Sequence, residues 1–188
     1  MQLKDYIPNL EKKYREVFFS GISFESSNIK KNNIFFAIEG NKFDGNRFID
    51  IAIKKGAKII ISEKKTNLEK KDIIFIHTPN VRKLLANVSF KILGKQPKKL
   101  VAVTGTNGKS SISDFYYQIL KMNLKKVASI GTLGIRSEGK KKNLINTTLD
   151  PIQLFNILKD LRKKKVEYVI MEASSHGLKQ NRLDGLLF

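Results

Sequence analysis

Val101-Ala102-Val103-Thr104-Gly105-Thr106-Asn107-Gly108-Lys109-Ser110-Ser111 is the stretch on which the reading of the fold turns. An apolar, β-branched run enters a Gly-rich turn, followed by a lysine, two hydroxyls and a helical pattern. That order suits a strand, loop and helix that grip nucleotide phosphates. Glycines let backbone N–H groups converge on phosphate oxygens, Lys109 adds a mobile positive charge, and the Ser110 hydroxyl can coordinate Mg²⁺. The helix that follows points its positive dipole end at the anion. The spacing is a shorter variant of the common phosphate loop. Val103 stands where the usual first glycine lies, and the first glycine here is Gly105, four residues before Lys109. A chance Gly-Lys-Ser on a surface turn is the alternative. The strand before it, the second glycine and the helix after it argue against that.

Outward from the loop the pattern alternates. A strand at 100–104 is followed by a helix at about 110–122, a strand at 126–130, a turn, a helix at about 151–163 and a strand at 166–171. Such alternation predicts a parallel sheet with right-handed crossovers, which binds ligands at the carboxyl ends of its strands. Upstream, Val17 to Phe24, Ile34 to Ile38, Lys58 to Ser62 and Ile73 to His77 read as strands. Phe48 to Lys55 reads as a short helix with Phe48, Ile51 and Ala52 on one face and Gly56 to stop it. From Asn80, the residues Val81, Leu84, Leu85, Val88 and Ile92 fall at helical spacing and mark a core-packing face. Gly94-Lys95-Gln96-Pro97 is a polar break. The fold class is therefore α/β, with a small α/β domain at 1–97 and the first part of a parallel-sheet phosphate-loop domain at 98–188. The apolar end Leu186-Leu187-Phe188 reads as a strand cut at its start. The chain is thus expected to be a fragment of a longer protein, with an open strand edge that favours aggregation.

Composition narrows the function. With 188 residues and 41% hydrophobic content a sizeable core can form. The absence of Cys excludes disulfides and thiolate metal sites, and His77 and His176 lie far apart, which leaves little scope for zinc. No apolar run approaches the ~18 residues that span a bilayer, and the N-terminus has no signal core. A cytoplasmic protein, without membrane association, is expected. The net charge of +19 raises a nucleic-acid reading. Yet 30 of the 36 basic residues are Lys and 6 are Arg, without interleaved aromatics for stacking. Lys140-Lys141-Lys142 and Lys163-Lys164-Lys165 fall at predicted turns or helix ends. A solvated Lys-rich surface is the preferred reading, and no nucleic-acid partner is expected.

Three further clusters carry chemistry. In Tyr168-Val169-Ile170-Met171-Glu172-Ala173-Ser174-Ser175-His176-Gly177 a strand ends in an acid beside the expected phosphates, where a carboxylate can hold Mg²⁺; a strand-end surface acid is the alternative. Ser174 and Ser175 with His176 could instead suggest a nucleophile, but adjacent residues of an extended chain point to opposite sides and no orienting acid is evident. Gly131-Thr132-Leu133-Gly134 turns the chain after a strand. Asn146-Thr147-Thr148-Leu149-Asp150-Pro151 leads into a helix with Asp150 as N-cap and Pro151 in its first turn. Capping does not call for Asn146, Thr147 and Thr148 together, which offer amide and hydroxyl groups to a polar ligand. In Gln180-Asn181-Arg182, an Arg in a chain that otherwise uses Lys suggests a forked contact with a carboxylate or phosphate, against the alternative of an isolated surface Arg.

Taken together, Thr104 to Ser111, Ile130 to Gly134, Asn146 to Thr148 and Met171 to Leu178, with Gln180 and Arg182, resemble the Mur ligase family. The resemblance is strongest to the branch that adds the third peptide residue. Upstream, Asn33 to Gly40, Phe43-Asp44-Gly45, Phe48-Ile49 and Ala52 to Ala57 look like that family's uridine-binding domain. The resemblance spans about residues 20 to 188. It implies an ATP-dependent amide ligase that adds diaminopimelate or lysine to UDP-N-acetylmuramoyl-L-alanyl-D-glutamate through an acyl phosphate. It implies ATP on Gly105, Thr106, Asn107, Gly108, Lys109, Ser110 and Ser111, Mg²⁺ on Ser110 and Glu172, and catalytic roles for Lys109 and Glu172. The muramoyl dipeptide would meet Asn146, Thr147, Thr148, Ser174, Gln180 and Arg182, and the UDP part Phe24, Ser26, Asn41, Lys42 and Phe43. A monomer is expected. Where the family has Asp-Ser-Arg, this chain reads Glu25-Ser26-Ser27, so the Arg is lost; the loop ends in Ser110-Ser111 rather than two threonines. The family's remaining ATPase sheet, its carbamylated lysine and its amino-acid-binding domain would lie beyond residue 188, so the chain alone is not expected to complete the reaction. Other readings are a ligase of the folylpolyglutamate-synthase type, a non-catalytic nucleotide or UDP-sugar module, and a basic nucleic-acid binder.

Overall fold

The computed structural model describes residues 1–40, 43–65, 70, 72–144 and 147–188. Asn41, Lys42 and Asn146 lie outside the described residues. The chain divides into two compact units, Met1–Val88 and Ser89–Phe188.

The first unit is built on a four-stranded parallel sheet of β1 (Gly21–Ser23), β2 (Asn33–Ala37), β3 (Ala57–Ser62) and β4 (Ile74–His77), in that spatial order. Ile34, Phe35 and Phe36 of β2 and Ile59, Ile60 and Ile61 of β3 are completely buried. Such unbroken apolar runs belong to central strands covered on both faces. Helix α1 (Ile49–Lys54) packs Ala52 onto this sheet beside Phe35, Ala37, Ala57 and Ile60. Ile51, expected on the same face, is 45% exposed; a helix of under two turns has room for one fully inward position. The strand expected from Val17 is confined to Gly21–Ser23. Val17 and Phe19 pair instead with the N-terminal segment, where Leu3 N donates to Val17 O and Phe19 N to Met1 O, both at 2.9 Å. Phe19 is buried with its ring edge-on to Tyr6.

Helix α2 (Val81–Leu93) carries the division between the units, and Val81, Leu84, Leu85 and Val88 are buried along it. The helical spacing read from the sequence therefore marks the inward face, with Ile92 partly exposed at its end.

The second unit contains β5 (Lys99–Val103), α3 (Lys109–Met122), β6 (Val127–Gly131), β7 (Gly134–Ser137), β8 (Lys140–Lys142), α4 (Pro151–Lys163), β9 (Tyr168–Glu172) and α5 (Ser175–Lys179). Its sheet has the order β5-β9-β6-β7-β8. The strands β5, β9 and β6 are parallel, with Val103 opposite Glu172 and Ile130 opposite Met171, so their carboxyl ends form one edge. The β7–β8 hairpin is antiparallel and was not legible as strands. Lys140–Lys142, expected at a turn, form β8; the turn is Glu138-Gly139, both at positive φ. Leu186-Leu187-Phe188, expected to begin a strand, form none, although the Leu187 N–H donates to Gln96 Oε1 at 3.1 Å. Helix α4 begins where its cap dictates. Asp150 Oδ1 accepts from Ile152 N and Gln153 N, each at 2.9 Å, while Leu154, Leu158 and Leu161 turn inward. The outward face of α3 is also apolar, with Ile112, Phe115, Ile119 and Met122 exposed. No helix among the described residues is long and apolar enough to cross a membrane.

Candidate active site

Three chain segments leave the carboxyl edge of the β5-β9-β6 sheet together. They are the loop after β5, the Gly131-Thr132 turn after β6 and the Glu172 end of β9. The loop turns through Gly105 at φ +142° and Gly108 at φ +80°, and Gly108 is the residue from which α3 starts. These are conformations that a side chain would strain. The Lys109 ammonium folds back over the loop and donates to Gly105 O at 2.5 Å and Thr106 O at 3.1 Å.

Glu172 is 3% exposed. Its Oε2 accepts from Ser110 Oγ at 3.0 Å and from Thr132 Oγ1 at 2.9 Å, and its Oε1 from Thr132 N at 3.0 Å. Among the described residues no Lys or Arg pairs with it. Gly131 leaves the space the carboxylate occupies, since a Cβ there would lie 2.2 Å from Glu172 Oε1. The expected loop-to-acid juxtaposition is therefore present, and its organiser is Thr132. In the sequence Thr132 reads only as part of a turn; its position one residue past a strand end beside Gly131 is the signal that marks it.

A second layer lies beside the first. Thr132 Oγ1 is 3.0 Å from Thr147 Oγ1. The buried Thr148 hydroxyl takes the Ser174 N–H at 2.9 Å and lies 3.2 Å from Glu172 O and 3.1 Å from Ser174 Oγ. Ser174 Oγ in turn caps α5 by accepting from Gly177 N at 3.0 Å. Gly177 permits this close fit, because a Cβ on it would meet Thr148 Cγ2 at 2.6 Å. Arg182 donates to Thr148 O and reaches Gln180 Oε1 through Nε at 3.0 Å and through its second terminal nitrogen at 2.7 Å. Gln180 Nε2 lies 2.9 Å from His176 Nε2. Ser174 is thus tied to Thr148 and Gly177, and His176 to Gln180, and among the described residues no hydrogen bond joins Ser174 to His176. Asp150 is held above the usual carboxylate range chiefly by burial, offset by its bonds to Gln153 and Ile152 and by the charge of Arg182.

Thr106 to Ser111, Thr132, Thr147, Glu172 and Ser174 line one cleft of about 420 Å³. Gln180 and Arg182 connect to it through Thr148. In the first unit, Phe24 and Ser26 are half-buried and Phe43 is 73% exposed. The network that holds this region was missed in the sequence. Asp44 Oδ1 accepts from Asn46 N at 2.9 Å, Ser62 Oγ donates to Asn46 Oδ1 at 2.7 Å, and Lys64 Nζ reaches Asp44 Oδ2 at 2.7 Å. Lys64 above all, with the bonds from Asn46, brings the Asp44 pKa down to about 2.

Comparison with known proteins follows the same division. Residues 19–91 match the family described as Mur ligase family, catalytic domain, and residues 103–188 match the Mur ligase middle domain. A UDP-N-acetylmuramoyl-L-alanyl-D-glutamate–2,6-diaminopimelate ligase of Rickettsia conorii is 41% identical over 180 residues, which is 93% of this chain and 37% of the relative. One of Brucella melitensis is 39% identical over 171 residues, 91% of this chain and 35% of the relative. A solved structure of a ligase with that name superposes with a TM-score of 0.83 at 28% identity, covering 99% of this chain and 38% of the other. The MurF ligase of Thermotoga maritima in complex with ADP superposes at 0.54 and 25% identity, covering 82% and 32%. The chain spans little more than a third of the length of the curated relatives it matches. With the two matched regions in sequence order and together spanning most of its length, the chain belongs to the Mur ligase family.

Proposed function

We propose that this chain carries the UDP-muramoyl-binding and ATP-binding parts of a ligase that adds diaminopimelate or lysine to UDP-N-acetylmuramoyl-L-alanyl-D-glutamate. The observation that supports it most is the contact of the Ser110 hydroxyl, in the first turn of α3, with buried Glu172, inside a cleft that also includes Thr147 and Ser174. The names of the relatives, which specify diaminopimelate, favour that amino acid over lysine.

The residues present fit nucleotide and Mg²⁺. Ser110 Oγ, Thr132 Oγ1 and the Glu172 carboxylate are all hard oxygen donors. No group of three or more His, Cys, Asp or Glu that could hold a metal exists among the described residues. A site with one carboxylate suits Mg²⁺, which keeps waters and shares phosphate oxygens rather than sitting in a protein cage. Bound ATP with Mg²⁺ would supply the phosphoryl group that activates the D-glutamate carboxylate as an acyl phosphate. The chain's own residues then have distinct tasks. The loop N–H groups from Gly105 to Ser111 hold phosphate oxygens, and Lys109 leaves its two carbonyl partners to offset charge on the transferred group. Ser110 and Glu172 would hold the cation. Thr147, Thr148, Ser174 and Arg182, with Gln180 steadying the guanidinium, orient the muramoyl dipeptide. Phe24, Ser26 and Phe43, with Asn41 and Lys42, serve the UDP end, and Asn146 joins Thr147 at the dipeptide. A cytoplasmic location accords with these substrates.

The test is direct binding. The 188-residue chain is titrated calorimetrically with UDP-N-acetylmuramoyl-L-alanyl-D-glutamate. Saturable binding is expected, weakened at least about tenfold in Arg182→Ala, the scale of one charge-assisted contact. A folded chain that ignores this ligand and instead binds nucleic acid with steep salt dependence would overturn the reading.

A further inference from the structure

The β7–β8 hairpin has two unlike faces. On one, Arg136 pairs with Asp114, donates to Ser129 Oγ at 3.1 Å and stacks 4.5 Å from the Tyr117 ring centre. The other face carries Ile135 and Ser137. Lys142 and Lys140 stand opposite them in the antiparallel register and so share that face. This second face opens on a cavity of about 340 Å³, walled across by Ile157 and Leu161 of α4 and rimmed by Lys141, Asp160 and Lys164. Four lysines and one carboxylate leave it a formal charge of +3.

Ser137 is 6% exposed, and its hydroxyl is buried with no hydrogen-bond partner among the described residues. An orphaned buried hydroxyl costs free energy unless something satisfies it. Here it stands at the wall of a cationic cavity, with Lys140 opposite. None of the cavity's lining residues lines the phosphate-loop cleft. Its volume lies at the lower end for small-molecule sites, which combine apolar walls with a few convergent polar groups. Lysines serve as point charges for phosphate.

We propose that this cavity is a second anion site that binds a small organic phosphate. The phosphate oxygens accept hydrogen bonds from the Ser137 hydroxyl and the ammonium groups of Lys140, Lys142 and Lys164, and the apolar part lies on Ile135, Ile157 and Leu161. The test is an amide NMR titration of the ¹⁵N-labelled chain with hexyl phosphate, inorganic phosphate and hexanol. Hexyl phosphate is expected to shift residues 135–142 and 157–164 saturably and to bind more tightly than either other probe. Ser137→Ala is expected to raise the thermal midpoint of the free chain, because it removes an unsatisfied hydroxyl, and to weaken hexyl phosphate about tenfold. Lys140→Gln, at an exposed position, is expected to weaken it comparably. Shifts confined to residues 105–111, equal affinity for hexanol or for inorganic phosphate, or undiminished binding in both variants would each overturn the proposal.

Discussion

Asp44 and Glu172 are carboxylates with opposite environments. Asp44, in the first unit, meets Lys64 at 2.7 Å and the amide of Asn46, and that cation draws its pKa down to about 2. Glu172, in the second, is 3% exposed and holds two hydroxyls and one amide, with no cationic side chain among the described residues. A charge whose partners are all supplied by the fold is a structural fastener. A buried acid with hydrogen bonds and no counter-charge is costly to keep ionised, and an added cation would relieve that cost. The first unit thus pairs its acid with a lysine, and the second buries its acid among hydroxyl and amide donors, which is the arrangement the proposed cation-holding role of Glu172 rests on.

The largest effect that would break this contrast is expected from Gly131→Ala. The new Cβ would fall 2.2 Å from Glu172 Oε1, so the carboxylate must move. A stability loss of about 1–3 kcal/mol is expected in chemical denaturation, with nucleotide binding lost in calorimetry. Unchanged binding would mean that the position of Glu172 does not matter.

A smaller effect, confined to stability, is expected from Asp44→Ala. It removes the bonds to Asn46 and Lys64 and should cost on the order of 1 kcal/mol at neutral pH, without altering nucleotide affinity. The folded pKa is depressed below 3.8, so this contribution is full above that value and is lost as pH falls through about 2. Denaturation midpoints of wild type and variant should therefore converge at the acid end. A constant gap would show that Asp44 acts through shape rather than charge.

Asp150 sharpens the comparison within the second unit. Burial raises its pKa, so its ionised form is disfavoured by the fold and its contribution declines as pH rises through the raised value. Asp150→Asn keeps the cap of α4 and should shift stability by no more than about 0.5 kcal/mol, whereas Asp150→Ala should cost about 1 kcal/mol. Equal losses would assign the role to the charge instead.

These contrasts also mark what the sequence could carry. The strand, glycine turn and helix around Lys109, the position of Glu172 at a strand end and the cap of α4 are legible because each is a local pattern: glycines beside a lysine, an acid at the end of an apolar run, an Asp before a Pro. The α2 stripe was legible by its period. The β7–β8 hairpin was not, since Lys140-Lys141-Lys142 has low strand propensity and is ordered by pairing with residues 135–137. Nor was the organising place of Thr132, which depends on a contact 40 residues away in the chain. The Asp44–Asn46–Ser62–Lys64 network has the same origin, joining residues that only the parallel sheet brings together. Ile51 was misplaced because helical spacing ranks faces only when a helix is long enough to have two.

The measurement that tests the division of roles most directly is calorimetric titration of ADP into wild type and Glu172→Gln, with and without Mg²⁺. Mg²⁺ is expected to tighten ADP binding in wild type, and Glu172→Gln is expected to abolish that gain, about tenfold or more, while leaving metal-free binding in place. An undiminished Mg²⁺ gain in the variant would contradict the assignment of Glu172 as the acid held for a cation.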